Sequence, residues 1–185
     1  MIADSIPWKE ELLRAASRLE KKKYQVRWTE QSSFLVERDI MVSAYAIRRL
    51  IEAWKVSDRL VDQCLDIRQH ALRHERVPDF WNRYSYWELF DCDHYSTVQM
   101  PLLSVCNQII HSWMWSLSAD EENNLFDGIY VSSDRKRSSV LYFVHVDQLI
   151  GTFYAVGSED VHKVMKRGED GQYYPENITA IQEQF

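Results

Sequence analysis

Apolar side chains recur at helical spacing in the first third of the chain. From Trp8 to Lys23 they form one face, which predicts an amphipathic helix. The segment from Ser33 to about Lys55 has apolar residues on several sides, which is typical of a central, well-covered helix with Ser33 as its N-cap. An apolar stripe that starts at Leu60 predicts a third helix over 58–74.

The middle of the chain has a different pattern. Pro78 ends the third predicted helix, and the aromatic and acidic segment from Phe80 to Tyr95 predicts a short helix followed by a loop. The apolar residues from Leu102 to Leu117 again follow helical spacing, with Pro101 favourably placed at the first turn. This segment therefore predicts one more helix.

The last third contains the predicted strands. Leu125 to Ser132 and Val140 to Val146 predict two strands joined by a polar turn, which is a β-hairpin at 125–146. Asp147 can cap a short helix that runs to about Val156. From Gly157 onward the chain is polar and contains several glycines, so we expect a loosely attached tail.

These elements predict a mainly α fold, a bundle of four or five helices with an appended β-hairpin near the C-terminus. The predicted domain organisation is a single helical domain over 1–156, which includes the hairpin, and a polar C-terminal tail over 157–185. A chain of 185 residues suits one domain with a sizeable core.

Composition narrows the function classes. The chain has 22 Lys and Arg residues against 28 Asp and Glu residues, and its net charge of −6 argues against broad non-specific binding to duplexes. The negative net charge of the whole chain is still compatible with a local basic patch. The three cysteines include no close pair, so neither a disulfide framework nor a thiolate zinc site is predicted. The sequence also lacks the glycine-rich phosphate loop and the dinucleotide-binding fingerprint, which disfavours nucleotide hydrolysis and hydride transfer.

Targeting patterns point to the cytoplasm. The first residues lack the basic and apolar regions of a secretory signal, and no apolar run approaches the length of a membrane span. We therefore expect a cytoplasmic protein that does not contact membranes.

A polar stripe marks the helix predicted over Leu102 to Leu117. Ser104, Asn107 and His111 are spaced three and four residues apart, so they share one side of an otherwise apolar helix. Buried amide and imidazole groups need hydrogen-bond partners. The residue types alone favour a hydrogen-bonded core network over a functional stripe.

The segment Cys106-Asn107-Gln-Ile-Ile-His111-Ser resembles the signature of HEPN-domain proteins, a superfamily of helical bundles. Nucleolytic members carry an Arg, commonly followed by a polar residue such as Asn, and then a His a few residues after the Arg. Asn107 and His111 match this pattern, whereas Cys106 stands where the Arg is expected. A neutral thiol cannot replace a guanidinium, which is always charged and donates two hydrogen bonds at once.

The resemblance implies metal-independent RNA cleavage or RNA binding. In this scheme His111 transfers protons, Asn107 orients His111 or the phosphate, and an Arg from elsewhere supplies charge, with Arg48 or Arg49 as the nearest source. The superfamily includes RNase toxins, antiphage and toxin–antitoxin components, and non-cleaving members that bind RNA or act as scaffolds. Many members are homodimers, so a homodimer is expected here.

We therefore predict a HEPN-like domain that acts on RNA in a bacterial defence or toxin–antitoxin setting, and whether it is an enzyme is left open. The alternative is a non-catalytic protein-interaction or scaffold module of the same fold, with a protein partner. No cofactor or metal is expected. The candidate catalytic residues are His111 and Asn107, and the candidate RNA- or phosphate-binding residues are Arg48, Arg49, Ser104, Arg135, Lys136 and Arg137.

Three further groups have competing interpretations. Asp91, Asp93 and His94 can ligate a divalent metal, although an exposed acidic loop is the favoured interpretation. His70 and His74 are four residues apart but lack a third ligand, so they are interpreted as part of a surface basic cluster. Aromatic side chains can stack on unpaired bases if they are exposed. For Trp81, Tyr84 and Trp87, exposure would decide between base stacking and core packing.

Overall fold

The architecture is α+β, so the prediction of a mainly α bundle is wrong. A computed structural model describes residues 4–74 and 76–181. The fold is 40% helical and 30% strand. The described residues form six helices, a five-stranded antiparallel sheet and a separate two-stranded sheet.

The helices are α1 (Ile6–Lys23), α2 (Glu30–Glu52), α3 (Asp58–Val61), α4 (Tyr86–Leu89), α5 (Leu102–Ile110) and α6 (Val146–Ser158). The strands are β1 (Cys64–Ala71), β2 (Ser96–Pro101), β3 (Ser112–Ala119), β4 (Phe126–Ser133), β5 (Val140–His145), β6 (Val161–Arg167) and β7 (Tyr173–Ala180).

The large sheet has the strand order β2-β1-β5-β4-β3, and every neighbouring pair is antiparallel. Its two faces have different coverings. The face that we call the helix face packs its apolar side chains against α1, α2, α5 and α6, and it includes Ile67, Ile129, Val131, Tyr142 and Val144. The opposite face, called the far face, is partly covered by the segment 72–95, and it includes His70, Met114, Tyr130, Leu141 and Phe143.

The predicted β-hairpin is confirmed and forms the β4–β5 pair within the sheet. The predicted helix over 58–74 is wrong beyond its first turn, because α3 ends at Val61 and β1 begins at Cys64. In β1 apolar residues alternate with polar ones, and Leu65 and Ile67 are buried between exposed neighbours. This period of two belongs to a strand.

The helix predicted over Leu102 to Leu117 is correct only in its first part. Helix α5 ends at Ile110, and Ser112 begins β3, which pairs with β4. In β3, Trp115 and Leu117 alternate with serines, and this period of two fits the strand. The polar stripe is therefore not on one continuous helix.

Two predicted helix caps also need correction. Helix α2 begins three residues before Ser33, and Thr29 caps it through a capping box with Ser32. Helix α6 is capped by His145, whose ring nitrogen accepts a hydrogen bond from the backbone N–H of Asp147. Both caps satisfy N–H groups that the first turn of a helix leaves without partners.

The segment predicted as a polar tail contains the β6–β7 hairpin. Most of its side chains are exposed, in agreement with its polar sequence. Ile178 is buried, however, and its backbone N–H donates a hydrogen bond to Asp58 at 2.9 Å. The hairpin is thus attached to α3, while residues 182–185 of the predicted tail lie outside the described residues.

Candidate functional site

An open cleft of about 560 Å³ lies at the C-terminal end of α5. Side chains from three parts of the chain line it. Helix α2 contributes Arg48, helix α5 and its cap contribute Asn107, Gln108 and His111, and the β4–β5 connection contributes Ser133, Asp134, Arg135 and Lys136. Five of the eight candidate residues predicted from the sequence therefore meet in one cleft: Arg48, Asn107, His111, Arg135 and Lys136.

Arg48 contacts His111 directly. The guanidinium Nη1 lies 3.3 Å from Nε2 of the imidazole, although the two residues are 63 positions apart in the sequence. A guanidinium only donates hydrogen bonds, so this contact requires Nε2 to accept and the ring proton to reside on Nδ1. The arginine that the resemblance requires beside His111 thus has a source on α2.

Asn107 and His111 occupy the end of α5 rather than two turns of a longer helix. His111 is the C-cap residue, and its backbone N–H donates to the carbonyl of Asn107 at 3.1 Å. The side-chain oxygen of Asn107 is buried and has no hydrogen-bond partner in residues 4–74 and 76–181. His111 is exposed to solvent, which excludes the interpretation of this residue as a sealed core histidine.

The β4–β5 turn is held against α5 by two hydrogen bonds. The backbone N–H of Asp134 donates to the carbonyl of His111 at 3.2 Å, and that of Ser133 donates to the side chain of Gln108 at 3.3 Å. Arg135 and Lys136 follow immediately and reach the cleft. Cations suit this place because the carbonyl end of a helix carries partial negative charge.

The balance of charge in the cleft is positive. Arg48 donates to Glu52 at 2.9 Å, and this hydrogen bond is the main reason why the pKa of Glu52 is lowered. Asp134, the acidic residue in the lining, pairs with Arg137 at 3.1 Å. Arg135 and Lys136 form no ion pair with any described residue, so their charges are available to an anionic ligand.

Three predicted residues lie outside the cleft lining. Arg49 pairs with Glu52 on the surface of α2. Ser104 is half-buried one turn before Asn107. Arg137 stacks on Trp113, with its guanidinium carbon 4.7 Å from the ring centroid.

Cys106 faces the core, away from the cleft. Burial raises the pKa of its thiol to about 12, so the side chain is a neutral thiol at physiological pH. An arginine at this position would have to bury its charge among apolar residues, which is strongly unfavourable. The packing of α5 therefore favours an uncharged side chain at position 106.

Sequence reasoning missed three residues of the lining: Gln108, Ser133 and Asp134. Gln108 was visible as a polar residue beside Asn107. Ser133 and Asp134 begin the polar turn, but nothing in the sequence indicates that they contact α5. Their hydrogen bonds to the end of α5 depend on tertiary packing.

His70 and His94 lie on the far face or near it. His94 pairs with Asp91 at 3.0 Å, and Arg73 lies 3.9 Å from Asp93. His70 is on β1, not on a helix, and its Nδ1 lies 3.1 Å from the carbonyl oxygens of Asp91 and His94. Within the described ranges, no three His, Cys, Asp or Glu side chains converge as a group that holds a metal ion.

Comparisons with known proteins give no relative: no protein-family model, no curated protein and no solved structure matches this chain. Separately, none of the helices in residues 4–74 and 76–181 has both the length and the apolar composition that a membrane span requires.

Proposed function

We propose that the protein binds RNA, and that the cleft at the end of α5 holds the phosphates of the RNA backbone. The observation that carries the proposal is the convergence of Arg48, Arg135 and Lys136 around the exposed His111. Guanidinium and ammonium groups are the side chains that bind phosphate most strongly. Since the whole chain has a net charge of −6, this local cluster concentrates the attraction at one place.

Metal-independent cleavage of the bound RNA is a second candidate function, and the 3.3 Å contact between Arg48 and His111 favours it. A phosphate that draws the guanidinium to its oxygens leaves Nε2 of His111 free to accept the proton of a ribose 2′-hydroxyl. The 2′-oxygen then bonds to phosphorus, the bond to the 5′-oxygen breaks, and water protonates that oxygen. Arg48 stabilises the charge on the phosphate oxygens.

The proposal retains the chemistry of the HEPN resemblance but not the fold that it implies. Arg48 takes the place of the missing arginine, and Asn107 and His111 keep the roles that the resemblance suggests. The α+β architecture, with its five-stranded sheet, differs from the helical bundle that the resemblance implies. The defence setting, the homodimer and the alternative of a protein-interaction module stay predictions.

Binding is tested with Arg48→Ala and its neighbour Arg49→Ala as the matched control. Both arginines pair with Glu52, but only Arg48 lines the cleft. Fluorescence anisotropy with labelled RNA should show binding about tenfold weaker for Arg48→Ala, because a charge-assisted hydrogen bond is lost. The slope of log K against log salt should fall by about one. Equal affinities of the two variants would contradict the proposal.

Cleavage is tested separately with His111→Gln and with His162→Gln, an exposed histidine on β6, as the control. Labelled RNA is incubated with each protein in EDTA and in Mg²⁺. Cleavage that persists in EDTA and is lost only in His111→Gln is the expected result for the second function. RNA binding without cleavage in the wild type would eliminate it and leave binding as the function.

A further inference from the structure

Four aromatic rings project from the segment 79–87, which we call the aromatic turn. Each of them is more than half exposed: Phe80 at 63%, Trp81 at 86%, Tyr84 at 66% and Trp87 at 55%. Large exposed rings this close together are unusual on a soluble surface and mark a binding site. Their abundance was visible in the sequence, but their exposure is a property of the fold.

The backbone of the aromatic turn is held by side-chain hydrogen bonds. One carboxylate oxygen of Asp79 accepts from the backbone N–H groups of Trp81 and Asn82, at 2.7 and 3.1 Å. The side chain of Asn82 accepts from the N–H of Asp79 at 2.8 Å and donates to the carbonyl of Val77 at 2.9 Å. The backbone that carries Phe80 and Trp81 is therefore held in place before a ligand binds, which lowers the entropic cost of binding.

One arginine side chain, that of Arg83, stacks on two rings of this region. The guanidinium carbon of Arg83 is 5.0 Å from the centroid of Phe80 and 4.7 Å from that of Tyr84. Flat aromatic rings interleaved with guanidinium planes match unpaired nucleobases, which stack on both, and the charge attracts phosphate.

The aromatic turn leaves the sheet at the same end as the basic residues of the cleft. The backbone N–H of Leu72, where the covering segment begins, bonds to the carbonyl of Ser139 at the end of the β4–β5 turn. Between the two sites Arg137 stacks on Trp113. Trp113 packs against the far-face cluster that also contacts Tyr86. These contacts connect the basic β4–β5 turn to the covering segment that carries the exposed rings.

We infer that the RNA bound by this protein is single-stranded, and that its unpaired bases stack on the aromatic turn while its phosphates occupy the cleft. This inference rests on the proposed function, since the cleft supplies the phosphate contacts. A duplex keeps its bases stacked on one another, so its affinity receives no contribution from the turn. The turn therefore gives the protein a preference for single strands that the cleft alone would not have.

The test uses Trp81→Ala and Phe80→Ala, with Trp81→Phe as the conservative variant and Val77→Ala as the matched control. All three positions are exposed, so no core contact is lost. The probes are a short unstructured RNA of adenosines and cytidines, an abasic RNA of the same length, and an RNA duplex. We expect each alanine variant at Phe80 and Trp81 to bind the unstructured RNA about tenfold more weakly, with Trp81→Phe and Val77→Ala close to wild type.

The abasic RNA separates this inference from the proposed function. Arg48→Ala should weaken binding to both single strands, whereas the aromatic variants should weaken binding only to the strand that carries bases. If the aromatic variants bind the unstructured RNA like wild type while Arg48→Ala does not, the inference is overturned and the cleft stands. If wild-type protein binds none of the probes, both are overturned. Vesicles of phosphatidylcholine and phosphatidylglycerol test the other source of such a site. If the aromatic variants lose binding to these vesicles but bind RNA like wild type, the turn contacts a membrane surface and the inference is also overturned.

Discussion

Arg48 and Arg49 show how a shift of one position decides which side chain lines the cleft. They have the same chemistry, lie side by side on α2 and pair with the same Glu52. Successive residues on a helix point about 100° apart, so only one of them faces α5. Arg48 reaches His111, while Arg49 does not line the cleft. The rotation of α2 about its axis thus decides which of the two arginines reaches His111.

Two glycines allow the packing of the sheet to be tested at the same scale. A Cβ on Gly128 would lie 2.5 Å from the carbonyl oxygen of Val144 and 2.6 Å from the ring of Phe143. We expect Gly128→Ala to lower the free energy of unfolding by about 1–3 kcal/mol, because the backbone of β5 has no room to move. Urea denaturation measures the change.

Gly151 is the control for this prediction. It lies in α6, and a Cβ there meets nothing within 4 Å. Gly151→Ala should raise the free energy of unfolding by about 0.5–1 kcal/mol, since alanine favours the helix. If Gly128→Ala proves as stable as wild type, β4 and β5 do not approach each other in this way.

At the scale of elements, the end of α5 decides the geometry of the cleft. If α5 continued as a helix to Leu117, Trp113 and Trp115 would lie on that helix and the edge strand β3 would not form. Because the chain turns at His111, the imidazole sits at the carbonyl end of a helix, where the β4–β5 turn also docks. The transition from helix to strand therefore brings Arg135 and Lys136 to Arg48.

Helix α2 carries Arg48, and its N-terminal cap is open to a direct test. Thr29 accepts the backbone N–H of Ser32, and Ser32 reaches back to the N–H of Thr29. Thr29→Ala should lower the free energy of unfolding by about 1 kcal/mol because alanine has no hydroxyl to accept the backbone N–H of Ser32.

The nearby exposed residue Gln31 provides the comparison, and Gln31→Ala should change the free energy of unfolding by less than about 0.5 kcal/mol. Thermal or urea unfolding of the two variants checks both values. Equal destabilisation by both substitutions would show that the helix does not begin at Thr29.

At the scale of the whole molecule, the sheet separates two environments. Helices pack on one face, while the other face is partly covered by a segment that also projects rings into solvent. The three cysteines differ in burial between these environments. Cys106 is buried in the helix-face core, Cys92 is half-buried under the far-face covering, and Cys64 is exposed on β1.

Alkylation of the native protein by iodoacetamide should follow this order of burial. Burial raises the pKa of Cys92, and it raises that of Cys106 to about 12, so both thiols contain little of the reactive thiolate at neutral pH. We expect Cys64 to react first, Cys92 more slowly and Cys106 last, as measured by mass spectrometry of peptides.

Unfolding in urea removes the burial and should bring the three rates together. Rapid labelling of Cys106 in the native protein would contradict the packing of α5 against α2 and the sheet.

The pattern of apolar residues was sufficient for the elements that have strong local signals. It predicted α1, the body of α2 and the β4–β5 hairpin, since each contains a full period of core-facing residues close together in the sequence. It also singled out Asn107, His111 and the basic turn as candidates. These features depend on residues close together in the sequence, which is why a linear pattern contains them.

Tertiary structure decided the rest. Strands β1 and β3 were mistaken for helix because short apolar runs fit both periods, and only pairing with β5 and β4 stabilises them as strands. The choice of Arg48 over Arg49 depends on which side of α2 packs against α5. The exposure of Trp81 depends on a segment folding over the far face. Each of these outcomes comes from contacts between distant parts of the chain, which local spacing does not specify.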